Sequence, residues 1–162
     1  MAYEKKQYTK KNYKPAEKKL DYKPKRGPLS KLMTEEEKQT SGIHELSYDF
    51  ACRITRLFQY LTEDAEYKEY VISKQIYRSG TSVGANVRES KHAQSDADFL
   101  SKMSIAFKEA DESDYWLSLL HDNGYINDEQ FHSLNIDNDR ILKVLTSIVK
   151  TMKQKIEDAK KK

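Results

Sequence analysis

Four stretches of this chain repeat apolar and small residues at alternating steps of four and three. The longest runs through Phe99, Met103, Ala106, Ala110, Ser113, Leu117 and Leu120. That rhythm lines up one side of a helix against a partner helix. The same pattern passes through Ile72, Ile76, Ser79, Val83 and Asn86, and through Phe131, Leu134, Asn138, Ile141, Leu145, Ile148 and Met152. A shorter stripe joins Ile43, Phe50, Ile54, Leu57 and Leu61. Short polar connections between the stripes force neighbours to run in opposite directions. The expectation is an all-α protein, an antiparallel up-down-up-down four-helix bundle.

The connections carry their own signals. A break at Ser41-Gly42 precedes a first helix over residues 43 to 61, and the polar run TEDAE leads to a second over residues 67 to 92. Ser95-Asp-Ala-Asp98 reads as a capping box that opens the third helix, with the acids complementing its positive end. Gly124 is a C-terminal stop, and Asn127-Asp-Glu-Gln130 opens the fourth helix by the same logic, its end fraying into KKK. All three prolines fall within the first 28 residues, so nothing beyond them forbids long helices.

Charge divides the chain into three parts. Residues 1–31 hold 11 Lys/Arg against 3 acids, and the remaining 131 residues hold 18 against 23. Residues 1–40 read as a disordered arm, because they lack the apolar period needed to bury a core. Residues 41–155 are the bundle and 156–162 a basic C-terminal tail. In the arm, Lys5, Lys6, Lys10, Lys11, Lys14, Lys18, Lys19, Lys23, Lys25 and Arg26 alternate with Tyr3, Tyr8, Tyr13 and Tyr22. Lysines of this kind make salt-sensitive phosphate contacts and tyrosines offer base stacking, which marks the arm as a candidate nucleic-acid element. The same composition also suits a solubilising tail. Within the acidic body, Arg53, Arg56, Arg78, Arg88 and Lys91 are the cations expected to gather on one face and join such an interface.

Catalytic signatures are weak. The tetrads Glu89-Ser-Lys-His92 and Glu129-Gln-Phe-His132 raise the question of a dinuclear metal site, but they belong to opposite ends of the expected bundle, roughly 35 Å apart. No metal site and no cofactor are expected. Glu109, Glu112 and Trp116 form a second stripe on the third helix, facing Gln75, Arg78, Ser82, Ala85 and Glu89 on the second. Paired carboxylates suit acid–base chemistry. The structural alternative has Arg78 and Asn86 satisfying these acids across the helix pair. Gly80 and Gly84, four apart in a polar helix, imply close approach of another backbone. Cys52 lies on an apolar face and reads as a packed thiol. No apolar run approaches the roughly 20 residues that cross a bilayer, and a cytoplasmic protein is the expectation.

The blocks RSGTSVGANVRE from Arg78 to Glu89, Asp98-Phe-Leu, Ile105-Ala-Phe-Lys-Glu-Ala110, Tyr115-Trp-Leu117 and Gly124-Tyr-Ile126 resemble the bacterial four-helix-bundle family of 23S ribosomal RNA intervening-sequence proteins. That family is similar in fold to accessory proteins of diversity-generating retroelements, which bind a reverse transcriptase and its template RNA. The resemblance spans about residues 43 to 150. It implies a small antiparallel bundle, a ring-like homopentamer, no enzymatic activity and a link to RNA. Asn86, Glu89, Glu109, Glu112 and Trp116 fall within its pattern as architectural residues. The basic arm is a departure from the short family members. Two functions follow as expectations: an oligomeric RNA-associated bundle with the arm supplying electrostatic contacts, or a protein–protein adaptor for an enzyme such as a reverse transcriptase.

Overall fold

The computed structural model describes residues 33–34, 38, 41–66 and 68–161. Among the described residues there are four long helices: α1 (Ile43–Gln59), α2 (Ile72–Glu89), α3 (Asp96–Asp122) and α4 (Asp128–Lys160). A π-helical turn, Tyr60–Asp64, prolongs α1, and a 3-10 turn, Ser90–His92, ends α2. Among the described residues there is no strand, and no helix is long and apolar enough to cross a membrane.

Cross-helix contacts fix the directions. Gly80 packs on Ile54 and Gly84 on Ser47, so position rises along α1 as it falls along α2. Ser79 meets Ser113 and Glu89 meets Lys102, which reverses α3 against α2. Asn138 meets Ala110 and Lys155 meets Asp96, which reverses α4 against α3. Contacts between α1 and α4 close the bundle, including Arg53 to Ser133. The expected antiparallel four-helix bundle is what forms.

The predicted stripes make the core, with one shift. Met103, Ala106, Ala110, Ser113, Leu117 and Leu120 are buried on α3, and Leu134, Asn138, Ile141 and Leu145 on α4. On α2 the buried line runs Ile76, Ser79, Val83, Val87, Ser90. The sequence rhythm placed Asn86 there. Instead Asn86 is half-buried and its amide donates to the Ser82 carbonyl one turn back, so Val87 takes the inward position.

Polar core contacts hold the register. The Ser79 and Ser113 hydroxyls lie 2.9 Å apart. Asn138 Nδ2, fully buried, donates to the Ala110 carbonyl at 2.9 Å. A slip between α3 and α4 would leave the Asn138 amide unpaired in the core, a loss of about 1–3 kcal/mol, whereas each serine hydroxyl also reaches a carbonyl of its own helix.

The helix ends follow local chemistry. Ser95 Oγ accepts from the Asp98 amide at 3.1 Å, and Asp98 accepts from Gln94 N–H. Asn127 and Gln130 form a full reciprocal capping box. Gly124 takes φ 75°, the left-handed turn that closes α3. One boundary differs from the expectation. α2 begins at Ile72 rather than near residue 67, because the Glu69 carboxylate caps it, accepting from the amides of Val71, Ile72 and Ser73. α4 ends where expected, running to Lys160 with Lys161 as its cap.

Candidate nucleic-acid interface

The bundle has two chemically distinct ends. At one end lie the close of α1, the start of α2, the close of α3 and the start of α4. Glu63, Asp64, Glu66, Asp122, Asp128 and Glu129 are exposed there. At the other end the start of α1 meets the close of α2, and Arg88 and Lys91 are exposed beside His44. Burial pushes the His44 imidazole down from its ordinary value, with Lys91 and Arg88 adding to the effect and Glu45 opposing it. The close of α4 reaches the same end and carries exposed Lys153, Lys155, Lys160 and Lys161. Two acids at this end are neutralised: Lys102 Nζ donates to Glu89 at 2.6 Å, and Lys155 Nζ to Asp96 at 3.0 Å. Glu45, Asp98, Glu157 and Asp158 remain, so this end is mixed in sign. An open groove lined by Ser90, Ala93, Ser95, Asp96, Phe99 and Met152 lies between these elements.

The five bundle cations singled out from the sequence do not gather on one face. Arg53 points to α4, where it contacts Asp137 and donates to the Ser133 carbonyl at 2.8 Å and hydroxyl at 2.7 Å. Arg56 is half-buried on α1. Arg78 stands on α2 within electrostatic reach of Glu109. Only Arg88 and Lys91 come together. Arg53 is spent on α4, while Arg78 and Arg88 lie 10 residues apart on α2, about 80° around the helix and 15 Å along it. The candidate cations of the arm, Lys5 through Arg26, lie outside the described residues.

The acidic stripe of α3 is held by its own helix. Trp116 Nε1 donates to Glu112 at 2.9 Å. Burial first, then the neighbouring Glu112, raise the Glu109 carboxyl above its ordinary range, and Arg78 pulls the other way. Of the two partners expected across the helix pair, Arg78 acts on Glu109, while Asn86 bonds to its own helix. On the opposite flank of α3, burial raises Asp114 as well, with Asp139 and Asp111 reinforcing. Glu89/His92 and Glu129/His132 sit at opposite ends of the bundle. The α3 residues beside them, Lys102 and His121, are 19 positions apart, about 28 Å along the helix.

Sequence reasoning missed one cluster. Lys38, Asp49, Asp137, Arg53 and Arg140 meet where α1 and α4 face each other, and the first three are buried. The available signal was that Asp137 interrupts the inward side of α4 beside Asn138, and Asp49 the inward side of α1 beside Phe50.

A family model described as 23S rRNA-intervening sequence protein matches residues 39–147. The chain belongs to that family. A solved relative from the S23 ribosomal protein family of Bacteroides thetaiotaomicron, described as a protein with unknown function, is 51% identical. The alignment covers 67% of this chain and 99% of the relative, with a TM-score of 0.65. No curated protein matches the chain. The family match also sorts the charge. Residues 39–147 carry 11 Lys/Arg and 18 Asp/Glu, residues 1–38 carry 12 and 6, and residues 148–162 carry 6 and 2. The family domain is acidic, and both flanks that this chain adds to it are basic.

Proposed function

We propose that this protein is a non-catalytic, oligomeric RNA-associated bundle whose two basic flanks make the phosphate contacts. The observation that carries this reading is the division of charge between an acidic family domain and basic additions on either side of it. Phosphate is attracted by clustered Lys/Arg and repelled by the acidic end and the Asp111/Asp114/Asp139 flank. Attraction is therefore concentrated in the flanks and at the end bearing Arg88 and Lys91. The family description, which names a ribosomal RNA, supports RNA as the polyanion. Glu112 tied by Trp116, and Glu109 beside Arg78, support an architectural role for the α3 acids.

Titration of a fluorescent single-stranded RNA tests the reading. Binding at low salt that weakens in an R88Q/K91Q variant is the expected result, with the salt slope falling by about one unit for each phosphate no longer neutralised. Absence of binding by the unaltered chain at low salt rejects it.

Assembly belongs to the same proposal. A homopentamer, which the resemblance implies, would multiply weak flank contacts by bringing several copies together. Light scattering on the purified chain gives the subunit number directly, and a monomer would overturn this part. A second reading, a protein–protein adaptor, draws on the exposed Tyr48 (61%), Tyr70 (51%), Val71 (73%) and Tyr115 (58%). Large exposed apolar side chains are the groups that anchor protein interfaces. Under that reading a defined partner, such as a reverse transcriptase, stays bound after nuclease treatment and is released by Y70A/V71A/Y115A.

A further inference from the structure

Lys38 is a lysine only 5% exposed, held by carboxylates from two helices. Its Nζ donates to both oxygens of Asp137 on α4, at 2.9 and 2.8 Å, and lies 3.5 Å from Asp49 Oδ2 on α1. The other Asp49 oxygen accepts from the Met33 amide at 2.8 Å. The Lys38 amide in turn donates to the Thr34 carbonyl at 3.0 Å. Met33, Thr34 and Lys38 are thereby linked to each other and to the bundle. A buried ammonium is tolerated only with such partners, so these contacts decide whether this stretch is docked.

Two features give the contact a meaning beyond packing. The first is its asymmetry. Asp137 also contacts Arg53, and Arg140 Nη1 lies 3.5 Å from it. If Lys38 leaves, Asp137 keeps two cations contributed by the bundle itself, and no deep charge is stranded. Asp49 alone loses its partners, at a face that opens to water as the stretch departs. The second is its place in the chain. Lys38 stands at the edge of the stretch matched by the family model, so the contact joins the N-terminal flank to the family domain.

We propose that Asp49 and Asp137 form a docking site for the chain's own N-terminal flank, with Lys38 as its anchor, and that Met33, Thr34 and Lys38 dock and release together while the helices stay closed. Docked, Met33 tethers the 32 residues before it to α1 at Asp49, about 9 Å from the helix start. Released, they gain reach, and the paired carboxylates become available to a lysine of another molecule. The inference does not depend on whether the flank binds RNA.

Hydrogen exchange on the full chain tests it. The Met33 and Lys38 amides are expected to be protected in the unaltered chain. K38M should speed both at least tenfold while amides within α1 and α4 keep their rates, and K38R should retain most of the protection. Equal rates in K38M and the unaltered chain overturn the proposal. Should K38M loosen the helices too, denaturant-dependent exchange of the unaltered chain decides. A shared opening of Met33 and Lys38 at lower denaturant than the helices supports docking as a unit, and opening only with the helices contradicts it.

Discussion

A methyl group added at Gly80 would meet Ile54 Cγ1 at 2.8 Å and Cγ2 at 3.0 Å, inside the closest approach of real side chains. At Gly84 the nearest atom is the Ser47 carbonyl oxygen at 3.2 Å. Alanine gains about 1 kcal/mol over glycine in a helix interior, and overpacking costs about 1–3 kcal/mol. G80A should therefore destabilise the bundle by about 1–2 kcal/mol in urea unfolding, whereas G84A should be close to neutral. The spacing of the two glycines revealed the close approach, but not that Gly80 accommodates a side chain and Gly84 a backbone. The acids of α3 lend themselves to a pH test. Folding raises the Glu109 and Asp114 carboxyls, so the folded state binds their protons more tightly than the unfolded state. Their penalty is absent below the ordinary carboxylate range and complete above the raised values. E109Q and D114N should each raise the melting temperature at pH 7, and the gain should vanish as the pH drops below about 4. A gain that persists at low pH would assign it to packing instead.

At the scale of the helix, the parts governed by local rules were the legible ones. Ser95 and Asn127 cap α3 and α4 as their spacing indicates, because each satisfies free amides within its own turn. The start of α2 was not legible. Glutamate is not a usual cap, and its role at Glu69 depends on a bend between Ala65 and Val71 that no local pattern encodes. E69A should cost about 1–2 kcal/mol and raise hydrogen exchange first at Val71, Ile72 and Ser73. Unchanged exchange there would remove the capping account. The π-turn at Tyr60–Asp64 was equally hidden, since Leu61 is buried as an α-helical reading also demands. The continuation of α4 to Lys160 follows from Ile148, Met152 and Ile156, spaced by four and half-buried on one side, which hold the helix against its terminal lysines. The Lys38 cluster stayed invisible because its members are 11 and 88 residues apart and only the closed fold unites them.

For the whole molecule, sequence separated what shape could not: an acidic family domain with basic chain on both sides. The fold then placed the C-terminal flank at the end of the bundle that exposes Arg88 and Lys91, and left the opposite end acidic. The proposed RNA interface would bind through counterion release, so its affinity should fall steeply with salt and drop sharply on truncation. The deciding measurement is RNA binding by the full chain and by a chain starting at Ser41, each titrated at two salt concentrations. The full chain should bind at the lower salt and lose that binding at the higher, and the shortened chain should bind much more weakly, with a shallower salt slope. Equal affinity and equal slope for the two chains would contradict the proposed interface.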